Sequence, residues 1–156
     1  MRAVVQRVAQ AEVTVDEAAV GRCEAGLLVY VGVAMGDGPA DATALASKVR
    51  YLRIFPDAAG KMNLDVCQSG GSVLAVSNFT LLADASQGRR PAFTSAAPPE
   101  EAERLFEQFC AALRELGVHV EQGRFGASMR VASINAGPVN LLLDTRSGGS
   151  DRINRI

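Results

Sequence analysis

Two short polar segments in the second half of the chain carry residue types that could take part in ester or amide chemistry. The first, Ser77-Asn-Phe-Thr-Leu-Leu82, follows an apolar run that is typical of a strand, and it contains two hydroxyl groups that could be nucleophiles. The second, Asn135-Ala-Gly-Pro-Val-Asn140, lies between two apolar runs, where glycine and proline weaken a strand. Taken alone, the segments are also compatible with strand-end hydroxyls that bond the backbone and with a turn between two hairpin strands.

The remaining sequence offers few groups for catalysis. It contains no G-x-S-x-G, H-E-x-x-H, P-loop or G-x-G-x-x-G motif. The single histidine, His119, lies in an alternating strand fragment, which favours a structural or surface role over membership of a Ser-His-Asp triad. Cys23, Cys67 and Cys110 are far apart, so neither a disulfide framework nor a zinc site is indicated. We expect no metal ion and no other cofactor.

Composition narrows the classes of protein to which the chain could belong. The length of 156 residues suits one domain with a sizeable core. A net charge of −1 and a sequence pI of about 5.8 argue against a protein that contacts many phosphates. No apolar run approaches the roughly 20 residues that span a bilayer, and the first residues predict a strand and not a signal peptide. We therefore expect a cytoplasmic protein with no membrane partner.

The elements that must position these groups are mostly strands. The predicted strands are residues 2–8, 12–15, 26–33, 61–66, 72–77, 118–122, 128–134 and 139–143. One helix is predicted from Pro39 to the region of Leu52, and a longer one from Pro98 to Leu116. This order predicts an α/β layered domain with a mixed or antiparallel sheet and two main helices on one face. Residues 1–145 would form a single domain, and residues 146–156 a polar, mobile tail.

Short motifs in a fixed order carry a resemblance to a known family. They are Val5-Gln-Arg-Val8, Gly26-Leu-Leu28, Arg53-Ile-Phe55, Gly60-Lys-Met-Asn-Leu64, Gly70-Gly-Ser-Val73, Gly88-Arg-Arg-Pro-Ala-Phe93, and Gly123-Arg-Phe125 with Met129. Ser77-Asn-Phe-Thr-Leu81 is similar to an S-Q-x-T-L signature, and Asn135-Ala-Gly-Pro-Val139 to N-x-G-P-V-T. With this spacing, residues 1–145 resemble the D-aminoacyl-tRNA deacylases, historically called D-tyrosyl-tRNA deacylases, whose sheet is barrel-like.

The resemblance implies an activity and its partners. Family members are homodimers that hydrolyse the ester between a D-amino acid, or glycine mischarged on tRNA-Ala, and the terminal adenosine of tRNA. No cofactor is implied, and only the CCA end of the tRNA need be held. An aminoacyl ester is already activated, and the ribose 2′-OH can help to deliver water, so that positioning and an oxyanion hole suffice.

The resemblance also assigns roles to the first segment and its neighbours. The backbone N–H groups of Phe79 and Thr80 would form the oxyanion hole, and Ser77 would organise the adenosine end of the pocket. The pocket would be lined by Phe93 and Met129, and Asn78 would contact the substrate there. Thr80 is a poor candidate for a nucleophile, because no residue is evidently placed to take its proton. For Arg89 and Arg90, contact with the CCA end and a solvated loop remain alternatives.

The second segment would select for chirality. By resemblance, Gly137-Pro138 is a cis peptide that reaches across the dimer interface, flanked by Asn135 and Val139. Its backbone carbonyls would clash with an L side chain and leave room for a D residue or for glycine.

Several positions depart from the family pattern. Asn78 stands where the family usually has Gln, Asn140 replaces Thr, and Gly126 and Ser128 replace Ala and Asp. The departures at Asn78 and Asn140 keep open a deacylase with shifted specificity. A different alternative is a non-catalytic nucleic-acid-binding dimer of the same fold.

Overall fold

The sheet is organised by β1 (Arg2–Val15), which pairs with three other strands in the computed structural model of residues 1–146. The first half of β1 pairs antiparallel with β3 (Gly26–Gly32), and its second half with β2 (Ala18–Cys23). Its other edge pairs antiparallel with β8 (Arg130–Asp144) over most of its length. β1 is therefore central, and it pairs directly with β8, the last strand of the described residues.

The other side of β3 continues as a parallel sheet. β3 pairs with β6 (Ser72–Ser77), and β6 pairs with β7 (Val120–Gln122). The backbone N–H of Arg22 in β2 donates to the Glu121 carboxylate in β7 at 2.7 Å, so the two edges of the sheet curl toward each other. The short strands β4 (Phe55–Pro56) and β5 (Met62–Leu64) form a separate ribbon. The predicted mixed, barrel-like sheet is confirmed.

Helices α1 (Pro39–Arg50) and α2 (Pro99–Glu115) pack together and cover one face of the core. Both have proline in the first turn, where the missing N–H has no helical partner to lose. The apolar stripe of α2 includes Phe106 and Phe109, which are almost fully buried. Burial of each ring from water stabilises the fold by about 1.5–3 kcal/mol. The two predicted helices are confirmed.

The sheet differs from the prediction at its first two strands. Residues 2–8 and 12–15 belong to one strand, and β2 was not predicted at all. A two-residue turn joins β1 and β2, in which Asp16 and Glu17 have φ of 49° and 66°. Two-residue turns with positive φ usually contain glycine or asparagine, and neither is present here.

The alternative of a hairpin turn at Gly137-Pro138 is wrong. Residues 128–134 and 139–143 do not face each other, because both belong to β8 and pair with β1. Gly137 and Pro138 therefore interrupt one strand without reversing it.

Two predictions concern the ends and the surroundings of the chain. The predicted tail at 146–156 lies outside the described residues from residue 147 onward, and the boundary of the domain at residue 145 stays a prediction. Across residues 1–146, no helix is long and apolar enough to cross a membrane.

Candidate active site

A 3₁₀ turn (Phe79–Leu82) follows the end of β6, and its first residue, Phe79, lines a cavity. Asn78 caps this turn, since its side-chain oxygen accepts hydrogen bonds from the Thr80 N–H, at 3.0 Å, and from the Thr80 hydroxyl. The Asn78 N–H donates to the carbonyl of Val31 in β3 at 2.8 Å. The turn can lie this close because Gly32 has no side chain: a Cβ there would lie 2.3 Å from Leu82.

The cavity has a volume of about 760 Å³. Five of the residues predicted from sequence line it: Ser77, Asn78, Phe79, Phe93 and Met129. The rings of Phe79 and Phe93 meet edge to face, with their centroids 5.0 Å apart. Phe79 is 58% exposed, which places this aromatic pair at the entrance. The cavity is large enough for a nucleoside and an aminoacyl group.

The cavity wall is poor in groups that could act as acid or base. Among the described residues that line it, only Tyr30 can ionise, and burial raises the pKa of its phenol. Burial also raises the pKa of the Cys23 thiol to about 11 and that of the Cys110 thiol to about 12, which leaves both protonated at neutral pH. Residues 1–146 bring together no group of three or more His, Cys, Asp or Glu side chains that could hold a metal ion.

The second predicted segment forms a bulge in β8. Gln6 pairs with Asn140 and Val8 with Asn135, so that the single residue Arg7 lies opposite residues 136–139. We call residues 136–139 the Gly-Pro bulge. Within it, the Gly137-Pro138 peptide is cis, and Gly137 has φ of 129°, which L side chains rarely adopt.

Side chains from both strands hold the base of this bulge. The Arg7 guanidinium donates to the carbonyl of Ala136 at 3.1 Å and also to that of Ile54. The Asn135 amide donates to the carbonyls of Arg7, at 2.9 Å, and of Val139, at 3.3 Å. The bulge is therefore anchored at both of its ends.

The structure thus sorts the predicted site residues into two groups. Ser77, Asn78, Phe79, Phe93 and Met129 line the cavity, and Thr80 lies on the turn beside it. Asn135, Gly137, Pro138 and Val139 lie on β8, and none of these four lines the cavity. One chain does not bring the two groups together.

Sequence reasoning missed Arg7 and Gln6 as parts of the site. Residues 1, 3 and 5 are buried in alternation, yet the next inward position is occupied by Arg7, and the following Val8 is buried again. A charge at an inward position followed by a shift of the apolar pattern is the signal of a bulge. The capping role of Asn78 had a signal too, because asparagine is among the best N-cap residues.

The loop that contains the two predicted arginines is closed at its base. The backbone groups of Asp84 and Ala92 exchange two hydrogen bonds, each of 2.8 Å. Arg89 and Arg90 lie between them and are exposed, and Phe93 follows directly. The loop therefore presents two positive charges close to the aromatic entrance of the cavity.

Known proteins similar to this chain share both its sequence and its fold. A D-aminoacyl-tRNA deacylase from Anaeromyxobacter dehalogenans is 59% identical over 146 residues, which cover 94% of this chain and 98% of that one. The protein of the same name from Ruegeria pomeroyi is 55% identical over 144 residues, covering 92% and 99% of the two chains.

Two solved structures superpose on the fold. The "c-Myc DNA Unwinding Element Binding Protein" has a TM-score of 0.87 at 34% identity and covers 93% of this chain and 99% of its own. A probable eukaryotic D-amino acid tRNA deacylase has a TM-score of 0.80 at 16% identity, with 91% and 97% covered, and shows the fold alone. Residues 4–144 match the family described as D-Tyr-tRNA(Tyr) deacylase, and the chain belongs to this family.

Proposed function

We propose that the protein hydrolyses the ester of D-aminoacyl-tRNA and releases the free D-amino acid and the tRNA. The observation that carries this proposal is a cavity that is lined by Phe79, the first residue of the turn, and by no carboxylate, imidazole or thiol among the described residues. Such a site suits a substrate that needs little chemical activation. An aminoacyl ester is such a substrate, and family membership supports the same conclusion.

The chemistry follows from where negative charge develops. A water oxygen attacks the ester carbonyl carbon, and the carbonyl oxygen becomes an oxyanion. We assign the stabilisation of that oxygen to the Phe79 N–H, at the first position of the turn. Collapse of the intermediate breaks the bond between the carbonyl carbon and the ribose 3′ oxygen, which takes up a proton from the attacking water.

The second donor of the predicted oxyanion hole is occupied in the free protein. The Thr80 N–H bonds to the Asn78 side chain, so it can serve the oxyanion only if Asn78 turns aside or shares it. The Thr80 hydroxyl also points at this amide oxygen and not at a base. This arrangement argues against Thr80 as a nucleophile.

Selection against L-amino acids is assigned to the Gly-Pro bulge of a second copy of the chain. Gly137 and Pro138 are exposed, and no residue of the cavity wall comes from the bulge. Along residues 130–144, β8 pairs only with β1, which leaves its other edge open, and Ile134 is 55% exposed there. An exposed strand edge with apolar side chains suits pairing of two copies. Carbonyls of one bulge would then enter the partner's cavity and exclude an L side chain.

This mode of selection extends to glycine. A filter that only excludes side chains cannot reject the residue that has none, so glycyl-tRNA is a second expected substrate. At the entrance, Arg89 and Arg90 would contact phosphates of the CCA end. The small net charge agrees with a contact limited to that end. A cytoplasmic location stays a prediction.

The deciding experiment is the deacylation rate of matched D-tyrosyl-tRNA and L-tyrosyl-tRNA with purified protein. We expect fast loss of the D ester and persistence of the L ester. Hydrolysis of both esters would support the proposed reaction and refute the proposed rejection of L-amino acids by the Gly-Pro bulge. Hydrolysis of neither would refute the proposed activity. A mass of twice 16.4 kDa in solution would support the pairing of two copies.

The same preparation can test specificity shifted by Asn78 and Asn140. Glycyl and D-tyrosyl esters of tRNA are compared at equal concentration. A rate on the glycyl ester far above that on the D-tyrosyl ester would favour the shifted enzyme.

A second candidate function is nucleic-acid binding without catalysis. It is favoured by the likeness to the DNA-unwinding-element binding protein at 34% identity. The net charge of −1 argues against it, because duplex binding depends on many phosphate contacts. Salt-dependent affinity for duplex DNA in a protein that hydrolyses neither ester would establish this function instead.

A further inference from the structure

The Gly-Pro bulge leaves the β1–β8 ladder after Asn135 and returns to it at Asn140. The side chains of these two residues meet across the gap, where the Asn140 amide nitrogen donates to the Asn135 amide oxygen at 3.1 Å. On the β1 side, the Gln6 amide nitrogen donates to the Asn140 amide oxygen at 2.9 Å. We call Gln6, Asn135 and Asn140 the neck of the bulge.

The neck is a continuous chain of hydrogen bonds. It runs from Gln6 through Asn140 to Asn135, and the Asn135 amide nitrogen in turn donates to the backbone carbonyls of Arg7 and Val139. Asn140 is the only member that bonds both other side chains, accepting with its oxygen and donating with its nitrogen. All three residues are partly buried, so water competes only in part for these bonds.

The position of Asn140 matters because the bulge has few other restraints. Gly137 and Pro138 are exposed, and the side chains that bond the backbone of residues 136–139 are Arg7 and Asn135. Asn140 sets the position of Asn135, which holds the Val139 carbonyl. Loss of the Asn140 amide would free Asn135 to take other rotamers and would allow the bulge to open.

We propose that Asn140, held by Gln6, is a positioning residue that determines chiral specificity by closing the neck of the Gly-Pro bulge. This inference rests on the proposed function, in which the bulge rejects L-amino acids. Asn140 touches no substrate in this scheme. It keeps the bulge carbonyls in place, so its loss should raise hydrolysis of the L ester and leave hydrolysis of the D ester nearly unchanged.

Two substitutions of equal shape provide the test. Asn140→Val and Asn140→Thr are both β-branched and suit a strand, but only threonine keeps a group that accepts from Gln6 and donates to Asn135. We expect N140T to resemble the wild type. For N140V, the loss of these hydrogen bonds predicts about a tenfold rise of the L-tyrosyl-tRNA rate, with the D rate within about twofold.

A second pair of variants tests the β1 side of the neck. Gln6→Met removes the amide at nearly constant length and should shift the D/L rate ratio in the same direction as N140V. The double variant Q6M/N140V should match N140V alone, because both changes break the same chain. Gln108→Met is the control, since Gln108 makes a 3.5 Å hydrogen bond to the Pro39 carbonyl on the helical face.

Hydrogen exchange separates this inference from the proposed activity. The amides of Ala136, Gly137 and Val139 should exchange roughly tenfold faster in N140V than in N140T. Equal exchange and equal D/L ratios in the two variants would overturn the inference. If the wild type hydrolyses no ester, the proposed function fails, and with it the effect on chirality, while exchange still reports whether Asn140 closes the neck. Thermal melting of every variant shows whether the fold is kept.

Discussion

Replacement of Gly137 by alanine should either lower the stability of the protein or reduce the selectivity of the Gly-Pro bulge for D esters. An alanine Cβ at this position would lie 2.8 Å from the Val139 Cγ2 and 3.0 Å from the Val139 backbone nitrogen. It would also lie 2.9 Å from the Arg7 guanidinium. The side chains of Val139 and Arg7 can move, but the backbone nitrogen moves only with the bulge itself.

The size of the effect follows from two contributions. An L residue held at the observed φ of 129° costs about 1–3 kcal/mol, and close contacts in a packed site add roughly 1–3 kcal/mol. If the bulge stays in place, we expect a loss of about 3 kcal/mol, or roughly 6–12 °C in melting temperature for a chain of this length. If the bulge relaxes, stability is recovered, and its carbonyls leave the positions that exclude an L side chain.

The assay measures melting temperature together with deacylation of D- and L-tyrosyl-tRNA. Gly88→Ala is the matched control, because Gly88 has the same φ of 129° and a Cβ there would meet nothing within 4 Å. G88A should reproduce the cost of the dihedral angle and keep the D/L rate ratio. An unchanged ratio in G137A with a lower melting temperature would show that the bulge stays in place at a cost in stability. An unchanged ratio with unchanged stability would refute both the geometry and the role of the bulge in selection.

Four further outcomes are expected. Thr80→Ala should keep D-ester hydrolysis within about tenfold of the wild type, because the backbone N–H survives; complete loss in a folded variant would restore Thr80 as a nucleophile. Chelation by EDTA should leave the rate unchanged, and a loss that zinc or magnesium restored would contradict this. The pH–rate profile should show no inflection from the protein between about pH 5 and 8, where histidine titrates, since the cavity wall has no such group. Hydrogen bonds from the side chain of Thr145 and, second, from the Gly38 N–H lower the pKa of Asp41. The Asp41 carboxylate therefore stabilises the fold above its unfolded pKa of about 4, and this stabilisation is lost as the pH falls through the lower folded pKa. Melting temperatures of the wild type and D41N measured across acid pH would reveal the difference.

Much of the fold was predictable because local pattern and tertiary burial agree. The run at 26–33 is almost continuously apolar, and β3 is an almost fully buried inner strand that pairs antiparallel with β1 on one edge and parallel with β6 on the other. The helix α2 has a clear apolar stripe and acidic residues in its first turn. Prediction failed where the local pattern does not reflect the tertiary structure. The β1–β2 turn at Asp16 and Glu17 lacks glycine, and β2 is a strand only because it pairs with β1.

The site was predictable in its residue types and not in its contacts. Ser77, Phe79 and Phe93 were assigned to one pocket by resemblance, and they line one cavity. The neck could not be foreseen, because Gln6 and Asn140 are separated by 134 positions and meet only through the register of β1 and β8. A bulge depends on the register of two strands, which short-range patterns do not encode.

The two main departures from the family pattern are both amides with local partners, and this separates their expected effects. Asn78 bonds the N–H and hydroxyl of Thr80, so it acts on the group that would stabilise the oxyanion. Asn140 bonds Gln6 and Asn135, so it acts on the segment that would exclude L side chains. Loss of the hydrogen bonds of Asn78 should therefore alter the rates on D and L esters by the same factor, whereas loss of those of Asn140 should alter their ratio. If a change at either residue altered both the overall rate and the D/L ratio, the turn and the bulge would be coupled within one assembled site.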